Sequence, residues 1–129
     1  MQAAQLGGGF TDPAMGSAST FRAIMEAMAR PGTIHDVTGA APPAPLSVAA
    51  GAAVLTLCDG DTPVFLAGRA DTDAVRAWIA FHTGAPLAGP SDCAFALGSW
   101  GALQPLTPYP AGTPDYPDRS ATLIVELPD

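Results

Sequence analysis

Apolar residues first recur at helical spacing in the stretch Ser17–Gly32. Phe21, Ile24, Met25 and Met28 share one face there, and Arg22, Glu26 and Arg30 fall opposite. Glu26 precedes Arg30 by four residues, the favourable order for an ion pair along a helix. Ser17 or Ser19 is placed to cap the first turn by accepting a bond from an unpaired N–H. Pro31 disfavours helical geometry at Arg30, and Gly32 suits a left-handed exit. The pattern predicts a helix that packs its apolar stripe on a core and stops abruptly. Its successor, Thr33–Val37, is rich in β-branched residues and predicts a short strand containing His35. A lone histidine in such a strand reads as a surface or hydrogen-bonded structural residue.

Downstream the period changes repeatedly. Gly39–Pro45 holds Pro42, Pro43 and Pro45 and predicts a stiff, extended connector. Leu46–Cys58 is apolar on every side. Its alanines and a capping Ser47 favour a helix buried all round, although Val54–Cys58 alone also fits a strand. Cys58–Pro63 is a turn whose aspartates, Asp59 and Asp61, suit bonds to the turn backbone better than a calcium loop, which needs more ligands. Val64–Leu66 predicts a short buried strand. Asp71–Thr83 predicts a second amphipathic helix, capped by Asp71 or Thr72, with Val75, Trp78, Ile79 and His82 in its stripe and Gly84 at its end. Cys93–Leu97 reads as a central strand, Trp100–Pro117 as a proline-rich loop, and Ala121–Leu127 as a buried strand of near-continuous apolarity. Residues 1–11 are polar and glycine-rich and read as loose up to the anchor Phe10.

Composition narrows the functional classes. At 129 residues the chain fits one domain large enough for a core of its own. Hydrophobic residues make up 48%, which argues for a folded chain, while only 13% are charged, which fits a large partner-covered surface and a GC-rich genome equally. The formal net charge of −7 opposes nucleic acid and anionic membranes alike. All five cations are arginines, so chemistry that needs a lysine from this chain, such as a Schiff base with pyridoxal phosphate, is excluded. Cys58 and Cys93, without a secretory signal, read as buried reduced thiols of a cytoplasmic protein. The longest uncharged apolar run, Val48–Cys58, is too short to span a bilayer.

Reactive constellations are sparse. The sequence holds no GxSxG, Walker A, HExxH, CxxC or strand-linked GxGxxG pattern, and its histidines and cysteines have no metal-ligand spacing. No catalytic residue and no metal ligand is assigned. Arginine grips phosphate well, and Arg119 in Tyr116–Ser120 is the best placed for it. His82, at a helix end beside the Thr83–Gly84 turn, is the second candidate for a ligand contact.

Several segments together resemble a known family. They are Phe21-Arg22, Ala27-Met28 with Pro31-Gly32, Leu55-Thr56-Leu57 with Asp59, Asp61-Thr62-Pro63-Val64, Phe81-His82-Thr83-Gly84-Ala85-Pro86, and Tyr116-Pro117 through Ser120-Ala121-Thr122-Leu123-Ile124. Their order and spacing resemble the PhnH family of the bacterial carbon–phosphorus lyase (phosphonate-utilisation) system, over residues 10–127. The resemblance implies an α/β fold, a layered sheet flanked by helices, similar to the large domain of pyridoxal-phosphate-dependent transferases but without the cofactor. It reaches the N-terminal two thirds of the family's usual length. Residues 1–129 are therefore expected to be a single PhnH-like domain, a natural short form or a fragment lacking the C-terminal part. The implied role is a homodimeric accessory subunit, inactive alone. With the other lyase subunits it would support formation of ribose 1-phosphonate 5-triphosphate from ATP and alkylphosphonate. The alternative is an autonomous enzyme or binder holding an anionic ligand on Arg119 and the His82 helix end.

Overall fold

The computed structural model describes residues 6–128. Three apolar runs pair into one parallel sheet: β1 (Val64–Leu66), β2 (Phe95–Ser99) and β3 (Thr122–Glu126), in the order β1-β2-β3. Parallel neighbours need crossover connections, which here are a helix, α3 (Asp73–Thr83), and a longer segment that opens with the short α4 (Trp100–Leu103). Successive side chains on a strand point to opposite faces, and the core divides accordingly. Val64, Leu66, Leu97 and Ile124 join Val54, Val75, Trp78 and Ile79 on one face. Phe65, Ala96, Leu123 and Val125 join Leu103 and Tyr109 on the other. The chain is thus α/β, with apolar packing on both faces of its sheet.

β2 begins two residues later than Cys93 but is central, as its composition predicts. β3 differs from expectation. It is an outer strand of this sheet, half-buried along most of its length. Its continuous apolarity has another cause: both its faces are covered, Ile124 on one side and Leu123 and Val125 on the other.

The first helix, α1 (Pro13–Ala29), starts before either predicted cap. Asp12 is the cap, accepting from Met15 N–H at 3.2 Å, and Pro13 occupies the first turn, where its missing N–H costs nothing. Its end is as read, with Arg30 out of helical geometry and Gly32 at φ +92°. Of the predicted core stripe only Ile24 is partly buried, and the rest is overturned. Phe21, Met25 and Met28 are 48%, 54% and 72% exposed, and Thr20 is the fully buried residue. α1 packs on α2 (Val48–Leu57). Its more buried positions are Gly16, Ser17, Thr20, Ala23, Ile24 and Ala27, and all but Ile24 are small enough to permit close approach. Period alone located an apolar face but not which face meets the core.

Thr33–Val37 forms no strand, and Ile34 is 93% exposed. β-propensity acts only where a neighbouring strand is available. Thr33 Oγ1 instead donates to Arg30 O at 2.7 Å and lies 3.0 Å from His35 Nε2. Gly39–Pro45 runs without regular structure into a turn at residues 44–45. α2 is capped by Ser47 as read, but it is not buried all round, since Val48 is 45% exposed. Asp59 Oδ1 accepts from Asp61 N–H at 2.8 Å within the predicted turn. α3 is capped by Thr72 and closed by Gly84 at φ +72°, and it buries Val75, Trp78 and Ile79 completely. The loose N-terminal reading fails from Leu6 onward. Trp78 Nε1–H donates to Gly7 O at 2.8 Å and Ala41 N–H to Gly8 O at 2.9 Å. The remainder of that reading, residues 1–5, lies outside the described residues.

Candidate functional site

In open α/β sheets, ligands settle beyond the carboxyl ends of the strands, where loops diverge. A cleft of about 480 Å³ lies there, reached by residues that follow all three strands. Arg69 and Ala70 come after β1, Gly98 and Ser99 end β2, Glu126 ends β3 and Leu127 follows it. Two glycines shape it. Gly68 turns the chain at φ +57° so that Arg69 reaches the cleft, and a Cβ there would lie 2.8 Å from Ala102 Cβ. A Cβ on Gly98 would come within 2.9 Å of Ala67 Cβ, so only glycine lets the ends of β1 and β2 approach so closely.

The polar groups of the cleft differ in freedom. Glu126 is engaged: Oε2 accepts from Ser47 N–H at 2.9 Å and Oε1 from Ser47 Oγ–H at 2.6 Å. Ser47 Oγ accepts in turn from Ala50 N–H at 3.1 Å. The carboxylate therefore closes the positive end of α2 and ties it to β3. Ser99 Oγ accepts from Ala102 N–H at 3.2 Å, leaving its own hydroxyl proton to donate elsewhere. Arg69 is exposed and has no ion pair among the described residues, whereas Arg76 is held by Asp71. The bonded Asp71 carboxyl is thereby lowered below its usual range. The arrangement suits binding of an oxyanion by Arg69 beside an apolar wall. No nucleophile and base are paired in the cleft among the described residues.

The two ligand contacts predicted from sequence lie elsewhere. Arg119, in a 3₁₀ turn at Pro117–Arg119, stands 3.8 Å above the Tyr116 ring, a cation–π contact. His82 lies against Trp78 and edge-on to Phe81, with Nε2 2.6 Å from Leu6 O. It lines a separate cavity with Gly9, Phe10, Pro13, Ser17 and Leu55 that does not include Arg119. Sequence reasoning missed Arg69, Ser99 and Glu126. Their signal was positional, since each lies at or just after the carboxyl end of a strand that the pattern had located.

Both cysteines are free and buried. Burial pushes the Cys58 thiol up to about 11, with Thr62 lowering it and Asp59 raising it by smaller amounts. Burial likewise raises Cys93. Among the described residues no group of three or more His, Cys, Asp or Glu is gathered to hold a metal ion. No described helix is long and apolar enough to cross a membrane.

Comparison with known proteins gives one consistent answer. A family model described as bacterial phosphonate metabolism protein (PhnH) matches residues 8–129. The chain is 48% identical over 123 residues to the alpha-D-ribose 1-methylphosphonate 5-triphosphate synthase subunit PhnH of Rhizobium meliloti (strain 1021). That match takes in 93% of this chain, which spans 62% of the relative's length.

Proposed function

The chain belongs to the PhnH family, and on that premise we propose that it is an accessory subunit of a phosphonate-degrading synthase. In this reading it assists other subunits in forming alpha-D-ribose 1-methylphosphonate 5-triphosphate from ATP and an alkylphosphonate. The observation that carries it is the 48% identity to a named subunit of that synthase. The exposed apolar stripe of α1 and the scarcity of charge in the sequence agree with surface covered in an assembly. We read residues 1–129 as one domain of the transferase-like type without its cofactor, homodimeric and cytoplasmic. The parallel sheet packed on both faces supports the transferase-like fold, and the absence of lysine supports its lack of the cofactor.

The test is co-expression of the tagged chain with the remaining subunits of a bacterial phosphonate-utilisation system. Co-elution with those subunits is the expected result. Elution alone, or turnover of methylphosphonate and ATP by the purified chain, overturns the reading. A second reading, binding of an anionic small molecule by the chain itself, is favoured by the unpaired Arg69 in the carboxyl-end cleft. It predicts that the isolated chain binds methylphosphonate or ATP measurably by calorimetry and that Arg69→Gln weakens this about tenfold.

A further inference from the structure

A second cleft, of about 310 Å³, lies between the start of α1 and residues 36–39, far in sequence from the strand ends. Its floor is Phe10. The ring is pressed against α1 where Gly16 leaves room, since a Cβ there would fall 2.5 Å from Phe10 Cγ. On the other side a Cβ on Gly39 would meet the same ring at 3.3 Å. The ring thus holds residues 36–39 beside the helix and keeps the cleft between them.

The lining is unusual for what it offers. Asp12 and Asp36 supply carboxylates, and Thr11, Ser19, Thr20 and Thr38 supply hydroxyls, with no arginine or histidine among the lining residues. Asp12 spends one oxygen on Met15 N–H and answers the positive end of α1, while Asp36 has no hydrogen-bond partner among the described residues. Thr20 is the telling group. It is 3% exposed, yet its hydroxyl makes no hydrogen bond among the described residues. Thr56 and Thr83, also on helices, bond back to the carbonyl one turn earlier at 2.8 and 2.7 Å. No wholly enclosed side-chain oxygen or nitrogen among the described residues lacks a partner, so the Thr20 hydroxyl must open into the cleft. A hydroxyl on the cleft wall with no protein partner is free to bond whatever occupies the cleft, water or ligand.

We propose that this cleft binds a primary ammonium group carried on a short apolar chain. Two acceptor-only carboxylates with no balancing cation attract positive charge, and an ammonium brings three donors for carboxylate and hydroxyl oxygens. Phe10, Met15 and Val37 supply the apolar contact for the remainder of the ligand. The site stands apart from the accessory role and does not depend on it.

The probe is propylammonium, titrated into the isotopically labelled chain while amide resonances are followed. Shifts concentrated at Ser19, Thr20 and Asp36–Gly39 are expected. Asp36→Asn, at an exposed and unbonded residue, should weaken binding at least about tenfold without lowering Tm. Thr20→Val, which keeps the shape and removes the hydroxyl, should weaken it about threefold to tenfold. Equal shifts with 1-butanol, stronger displacement by magnesium than by the amine, or an unchanged affinity in Asp36→Asn would each overturn the proposal.

Discussion

Cys58 shows how one side chain reports its surroundings. Only 6% of it is exposed, and a thiolate there would lose most of its hydration, which is why its pKa rises from 9.0 to about 11. The folded protein therefore keeps this proton at a pH where the unfolded chain has lost it. The stabilisation is fully present below pH 9.0 and disappears as pH climbs from there towards about 11. At pH 8 the thiolate fraction is about a hundredfold below that of a free cysteine. Alkylation of Cys58 by iodoacetamide should be slower than in the denatured chain by at least that factor, read by mass spectrometry of the Cys58 peptide. Rapid native labelling would mean that the thiol is neither desolvated nor enclosed.

At the scale of elements, the contact between α2 and β3 depends on Glu126 gripping both Ser47 groups. Ser47→Ala removes a helix cap and should cost about 1 kcal/mol. Glu126→Ala removes the other half of the same network and should cost a similar amount. The double variant should fall short of the sum by about 0.5–1 kcal/mol, because the second change removes what the first has already disabled. Urea unfolding of the four proteins measures this, and strict additivity would show that the two residues act separately. The Ser47 cap was legible in the sequence, as were Gly84, the strands at Val64 and Phe95 and, as one of two candidates, the Thr72 cap, because caps and short apolar runs are local signals. Its partner was not, since 79 residues separate Ser47 from Glu126 and only strand order brings them together. The same reason hid the carboxyl-end cleft: its residues follow three strands whose adjacency is not encoded within any one of them. The Asp12 cap was not legible because Asp-Pro suits a turn as well as a helix start, and the α1 stripe was assigned to the core because a period does not say which of two faces is covered.

Across the whole molecule, burial is unevenly shared, and local opening should follow it. β2 is paired on both sides, with Ala96 and Leu97 wholly enclosed, and α3 buries Val75, Trp78 and Ile79 completely. α1 buries only Thr20 to that degree and leaves Phe21, Met25 and Met28 largely in solvent. What fastens α1 beyond its contact with α2 is indirect. Trp78 bonds Gly7 O, Gly8 O bonds Ala41 N–H, and the Phe10 ring lies between Gly16 and Gly39. Segments with little buried apolar contact open at lower free energy than the core. Native-state hydrogen exchange should therefore show α1 and residues 36–41 opening together, below the free energy that releases β2 and α3. Trp78→Phe keeps an aromatic ring in the core but deletes the bond to Gly7. It should speed exchange in α1 and residues 36–41 by about fivefold beyond any change common to all amides. A uniform change across the chain would mean that Trp78 acts only by filling the core. Protection of α1 equal to that of β2 would mean that the small-residue contact with α2 suffices to hold the helix.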